Sequence, residues 1–186
     1  MTPRLSRWIL RLFGWKVVGE VPDISKFVVI GAPHTSNWDF PIGLLAARVL
    51  GIRISWIGKA GLFRHPWGPL MQWLGGIPTQ RTGSEGLVAL MAERFAEADR
   101  LVLVIAPEGT RKAAPFWRSG FYRIALGAGV PIVPAAVDAG RKEIRIGGSV
   151  SVTGDVRADM DRMRQFFEGS RGIKPKGQGP VRLEAE

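Results

Sequence analysis

The sequence predicts an α/β fold: a single-domain sandwich around a mostly parallel, partly mixed sheet, with an amphipathic helix at the N-terminus. Three observations predict it. Short β-branched runs, FVVIGA at 27–32 and LVLVIA at 101–106, alternate with segments of helical length. Glycines stand where those helical segments should stop, at Gly51, Gly75, Gly76, Gly127 and Gly129. The chain has 186 residues, 46% of them hydrophobic, which supplies one core and hardly two.

The elements follow in order. In residues 4–13, Leu5, Trp8, Ile9 and Leu12 share one helical face with Phe13 at its margin, while Arg4, Arg7 and Arg11 fall on another. Residues 27–32 read as a buried strand, and a helix is expected over 38–50, with Ser36 or Asn37 as its cap. A strand at 53–57, a short helix at 66–74 and an extended stretch at 77–80 come next. Thr82 and Glu85 fit a capping box opening a helix to about residue 98. Residues 101–106 read as a strand buried on both faces. A helix over 117–126 leads to a strand at 130–137, which Pro131 and Pro134 place at a sheet edge or bulge. Residues 143–146 and 150–153 pattern as a closing hairpin, and a last helix covers 159–168. The expected organisation is a docking helix and linker over 1–26, the folded domain over 27–168, and a flexible basic tail over 169–186.

Composition narrows the function. Lys and Arg number 26 against 16 Asp and Glu, a net charge of +10, so an anionic partner is expected. Cysteine is absent, which removes disulfides, thiolate nucleophiles and cysteine metal sites; two histidines make a histidine-built metal centre an unpromising reading. Seven Trp stand against one Tyr, and Trp favours the headgroup level of a bilayer. No apolar stretch reaches the 18 or more residues of a spanning helix. The N-terminal helix instead has the pattern of one lying in an anionic interface; packing on the protein's own core is the alternative. The G-x-G-x-x-G and G-x-x-x-x-G-K-[ST] phosphate loops are missing.

Two short segments carry the chemistry. His34 follows the first buried strand, where ligand sites of α/β sheets gather. Asp39 is five residues on, and on a regular helix that spacing leaves the pair about 140° apart. The two meet only if His34 lies in the turn and folds back over the helix start. Glu108, Gly109, Thr110 and Arg111 leave the second buried strand. Arg111 can grip a phosphate bidentately, Glu108 can accept a hydrogen bond from a hydroxyl or orient Arg111, and Gly109 permits a tight turn. Arg81 and Lys59 are further phosphate candidates. Taken singly, each of these also reads as an ordinary capping group or loop charge.

Together these segments resemble the glycerolipid acyltransferases, the family of 1-acyl-glycerol-3-phosphate acyltransferase. His34-Thr35-Ser36-Asn37-Trp38-Asp39 resembles the family's H-x4-D motif. Gly75-Gly76-Ile77-Pro78-Thr79-Gln80-Arg81 is similar to its second block, Ala106-Pro107-Glu108-Gly109-Thr110-Arg111 to its third, and Val130-Pro131-Ile132-Val133-Pro134 to its fourth. The blocks stand in family order across 27–137. Ala106 replaces a usual Phe, Pro78-Thr79-Gln80 departs from the common residues before the arginine, and Lys112 stands where a small polar residue is common. These departures leave the acceptor open.

The resemblance implies His34 as general base, Asp39 as its orienting partner, and Arg81, Glu108 and Arg111 as acceptor-binding groups, with Lys59, Gly109 and Thr110 counted beside them. It implies an acyl thioester donor on coenzyme A or acyl carrier protein, a lysolipid acceptor, and no metal or permanently bound cofactor. The expected partners are an anionic membrane surface, the acceptor and, as a candidate, acyl carrier protein; nucleic acid is not expected. The expected location is peripheral, on the cytoplasmic face of a membrane such as the bacterial inner membrane. Backbone N–H groups near the helix start are the expected oxyanion donors. Two rivals stay open: a family member acting on another lysolipid or amino-acid lipid, and a basic nucleic-acid-binding protein using RKEIR at 141–145.

Overall fold

Alternation of side chains along the strands sets the two layers that flank the sheet. The computed structural model describes residues 2–79 and 84–186. Its strands are Lys16–Val18 (β1), Lys26–Ala32 (β2), Ser55–Lys59 (β3), Gly76–Thr79 (β4), Leu101–Ile105 (β5), Ile132–Asp138 (β6) and Glu143–Ile146 (β7). Its helices are Pro3–Leu12 (α1), Asp39–Val49 (α2), Gly68–Trp73 (α3), Ser84–Glu97 (α4), Gly120–Ala128 (α5) and Val156–Phe167 (α6). Among the described residues these strands form one seven-stranded sheet, ordered β1-β7-β6-β2-β5-β3-β4. Every neighbouring pair is parallel except β6 and β7, so the sheet is mostly parallel and partly mixed, as expected.

On one face, Val28, Ile30, Leu103, Ile132 and Ala136 pack against Met91 and Phe95 of α4, Phe121 and Ile124 of α5, and Met160 and Met163 of α6. On the other, Phe27, Val29, Val133 and Ala135 look toward α2. Burying one such large side chain is worth about 1.5–3 kcal/mol, and this repeated gain holds the layers on the sheet.

Several expectations are corrected. The strand with Pro131 and Pro134 is central: every residue of β6 is buried, between β2 and β7. Pro134 is tolerated because its carbonyl accepts from Gly147 N–H on the β7 side, just beyond the last β6–β7 pair. A strand residue's N–H and C=O point the same way, so the missing donor costs only the reciprocal bond of that one pair, where the regular β6–β7 pairing gives way to the separate Ile132–Val150 bridge. The hairpin joins β6 to β7, and Val150 forms an antiparallel bridge with Ile132. The 1–26 segment contributes β1 to the sheet. The capping box at Thr82 lies outside the described residues. The C-terminal stretch, expected to be loose, is packed: Leu183 and Ser170 are buried, and Leu183 bridges Trp117.

Helix α1 is capped by Thr2, whose hydroxyl accepts Leu5 N–H. It packs on α2. Ser6 and Leu10 are buried, whereas Leu5, Trp8, Leu12 and Phe13 project outward. Ile9, expected on that outer face, is half-buried and lines a groove with Leu44 and Leu45. The expected apolar stripe is thus split: Leu10 carries the inward packing, and most of the stripe has no protein partner among the described residues.

Candidate active site

The parallel sheet sends β2 and β5 out side by side, since Ile30 pairs with Ile105. The two chemistry-bearing segments therefore begin as neighbours. The turn after β2 folds back over the start of α2, and His34 Nδ1 stands 3.2 Å from Asp39 Oδ2. The same oxygen accepts the N–H groups of Thr35 and Ser36, each at 2.8 Å. Asp39 is the first residue of α2, with the helix dipole favouring its charge. The helix is capped without Asn37 or Ser36 in the usual N-cap position; Ser36 Oγ instead accepts Trp38 N–H at 3.3 Å.

Glu108 reaches across from the exit of β5. Its Oε1 accepts His34 N–H at 2.9 Å, and its Oε2 is buried with no hydrogen-bond partner among the described residues. Burial pushes this carboxyl above its ordinary pKa, against the lowering effect of the His34 amide. Three successive amides, of His34, Thr35 and Ser36, are therefore held by two carboxylates. Among the amides near the helix start, these three are thus already bonded.

Beyond Glu108 the loop turns at Gly109, whose φ of +65° favours glycine. Thr110 and Arg111 are exposed, and the Arg111 guanidinium makes no ion pair or hydrogen bond to another described residue. Glu108 does not bond to it. Lys59 ends β3 and is exposed at the same strand-end edge. Arg81 lies outside the described residues. The structure thus gathers His34, Asp39 and Glu108 into one hydrogen-bonded unit, and leaves Arg111 and Lys59 exposed outside it, beyond the C-terminal end of β5 and at that of β3.

From this unit an apolar cavity of about 240 Å³ runs between α2 and the sheet. His34 and Asp39 line one part of it; Phe40, Gly43, Leu44 and Ala47 of α2, with Leu50 just after it, face Val29, Val104, Val133 and Ala135 across it. Gly43 leaves room, because a Cβ there meets none of the described residues within 4 Å. Trp56 forms part of the wall, edge-on to Phe40 with ring centroids 4.8 Å apart, and donates its indole N–H to Leu74 O. Sequence reasoning missed this cavity; the small residues Gly43, Ala46 and Ala47 on one side of α2 were the available signal. Chemically, the site offers an imidazole oriented by a carboxylate beside a slot for an alkyl chain. Among the described residues, no group of three or more His, Cys, Asp or Glu could hold a metal ion.

A model of the acyltransferase family matches residues 16–138, more than half of the chain. The chain belongs to the acyltransferase family. The match spans the turn with His34 and Asp39, the loop with Glu108 and Arg111, and β6. Among acyltransferase relatives, the 1-acyl-sn-glycerol-3-phosphate acyltransferase of Haemophilus influenzae is 29% identical over 157 residues, covering 76% of this chain and 63% of that protein. That of Escherichia coli is 29% identical over 146 residues, covering 73% and 58%. The chain thus matches about three-fifths of the length of these relatives. The fold is that of the crystal structure of the 1-acyl-sn-glycerophosphate (LPA) acyltransferase, PlsC, from Thermotoga maritima, with a TM-score of 0.61 and 18% identity over 92% of this chain and 80% of that one.

Proposed function

We propose that this acyltransferase moves a fatty acyl group from a thioester, on coenzyme A or acyl carrier protein, to the hydroxyl of 1-acyl-glycerol-3-phosphate or a similar phosphate-bearing lysolipid. The observation that carries the reading is the His34–Asp39 pair at 3.2 Å, opening onto an apolar cavity. With Nδ1–H donated to Asp39, His34 Nε2 is the free acceptor. It takes the proton of the acceptor hydroxyl as that oxygen attacks the thioester carbonyl. The C–S bond breaks, the thiolate leaves, and the imidazolium returns the proton to sulfur. Asp39 stabilises the imidazolium in between. The acyl chain occupies the cavity under α2, whose lining is almost wholly apolar.

Arg111, exposed and without a partner among the described residues, reads the acceptor phosphate with its planar fork, and Lys59 adds charge at the end of β3. Glu108 acts from behind, by fixing the His34 backbone. Docking is monotopic on an anionic surface. In support, Trp8 and Trp73 are 58% and 71% exposed, and Arg4, Arg7 and Arg11 accompany Trp8. No helix among the described residues is long and apolar enough to cross a membrane.

The test is an acyl-transfer assay that crosses lysophosphatidate, its dephosphorylated monoacylglycerol and an amino-acid lysolipid with both thioester donors. Transfer to the phosphorylated acceptor in clear preference to the others supports the reading. Equal transfer to the neutral glycerolipid removes the role given to Arg111.

A further inference from the structure

We propose that residues 170–183 form a positioning strap, which holds the catalytic turn through the side chain of Thr35 so that turnover depends on the contacts of Gly172 and Lys174 with it. The proposal rests on His34 as the base. The strap lies beyond the family match, which ends at residue 138.

The strap is fastened at both ends and in the middle. At its start, Ala139 N–H donates to Arg171 O at 2.7 Å, and Arg145 Nη2 donates to Ser170 Oγ at 2.8 Å. At its end, Trp117 N–H donates to Arg182 O at 2.8 Å and Leu183 is buried. Between them, Gln178 closes the loop on itself, accepting from Gly172 N–H and donating to Ser170 O. In the middle, Lys174 N–H donates to Thr35 Oγ1 at 3.0 Å.

Three glycines bring the strap against the site. A Cβ at Gly172 would stand 2.6 Å from Thr35 Oγ1 and 2.7 Å from its Cγ2. One at Gly177 would stand 2.6 Å from Arg111 O, and one at Gly179 would meet Ala114 O. Only a residue without Cβ allows approach this close. The strap thus touches both the turn that carries His34 and the loop that carries Arg111.

Thr35 links this strap to the base. It is 2% exposed, follows His34 directly, and gives its N–H to Asp39 Oδ2. The carboxylates hold the turn by its amides, and the strap holds it by the Thr35 hydroxyl. A catalytic base displaced by about 1 Å can lose roughly 100-fold in rate, so the second hold is expected to show in turnover.

The experiment compares Thr35→Val, which keeps the shape and loses the acceptor, with Thr35→Ser, which keeps the acceptor. Thr35→Val should lower kcat at least about tenfold with both KM values within about twofold, while Thr35→Ser stays near the parent. Amide exchange at His34, Thr35 and Ser36, followed by NMR, should quicken in Thr35→Val only. Gly172→Ala should also lower kcat, and Gly172→Ala combined with Thr35→Ala should be no worse than Thr35→Ala alone, since Oγ1 and Cγ2, the two atoms that the new Cβ would meet inside 3 Å, are then gone. Equal kcat and equal exchange for Thr35→Val and Thr35→Ser would overturn the proposal, as would independent, multiplying losses in the double variant. If Gly172→Ala does not fold, the Thr35 pair decides. His34→Ala is assayed alongside: retained turnover there would fault the base, whereas the exchange comparison still reads whether the strap holds the turn.

Discussion

Asp39 Oδ2 serves His34 Nδ1 at 3.2 Å while also accepting the Thr35 and Ser36 amides. One oxygen thus orients the imidazole and shapes the turn that presents it. Asp39→Asn retains a carbonyl oxygen for the amides but not the anion that stabilises an imidazolium. It should stay folded and lose roughly 10²–10⁴ in kcat. Asp39→Ala leaves two buried N–H groups unpaired, at about 1–3 kcal/mol each, and should lose stability as well. Urea unfolding set beside steady-state kinetics separates the two effects.

The cavity gives a prediction of its own. No described residue lies within 4 Å of a Cβ at Gly43, so a larger side chain there enters the slot without meeting described backbone. Gly43→Leu should fold, since it replaces a helix-interior glycine at a gain of up to about 1 kcal/mol. It should shift donor preference toward shorter acyl chains. Competition between short- and long-chain thioesters measures this, and an unchanged preference would move the acyl chain out of the cavity.

Glu108 carries a pH dependence whose sign is fixed by its burial. Its folded pKa is raised, so the folded state holds the proton more tightly than the unfolded chain does. The stability it contributes is present in full below about pH 4.5 and is lost as the pH rises through the folded value. Glu108→Gln keeps an acceptor for His34 N–H but does not ionise. It should be more stable than the parent near neutral pH, with the gap closing toward acid. Urea midpoints between about pH 4 and 8 would show this, and parallel curves would contradict it.

Helix α1 divides its work between Leu10, which packs inward, and Trp8 and Leu12, which do not. Trp8→Ser with Leu12→Ser should weaken binding to anionic vesicles at every salt concentration. Replacing Arg4, Arg7 and Arg11 by Gln should weaken it mainly at low salt, because each contributes about 1 kcal/mol that salt screens. Vesicle co-sedimentation across a salt series is the measurement. Loss of neither kind would place the contact elsewhere, for instance at Trp67 and Trp73.

Much of this was legible in the sequence because it is local. The runs at β2 and β5 are apolar enough to be strands wherever they lie, and the spacing of His34 and Asp39 already required a turn folded back on a helix. What was not legible depends on partners distant in the chain. Pro134 argued for an edge strand, yet its missing N–H costs only the reciprocal bond of one pair, where the regular β6–β7 pairing gives way, a fact of register and not of composition. The Gly- and Pro-rich C-terminal stretch has the composition of a flexible tail, but its glycines mark close approaches to Thr35, Arg111 and Ala114. Glu108 pointed to a substrate contact by its motif; its burial against the His34 amide could be seen only once β2 and β5 were side by side.

The proposed role of His34 as the base of acyl transfer is tested by kcat for His34→Ala with a lysophosphatidate acceptor. The side chain is 24% exposed, and the turn is held by its amides, so the variant should fold with a circular dichroism spectrum like the parent's. Loss of the base should lower kcat at least about 100-fold. A folded His34→Ala protein that transfers acyl groups at the parent's rate would contradict that role.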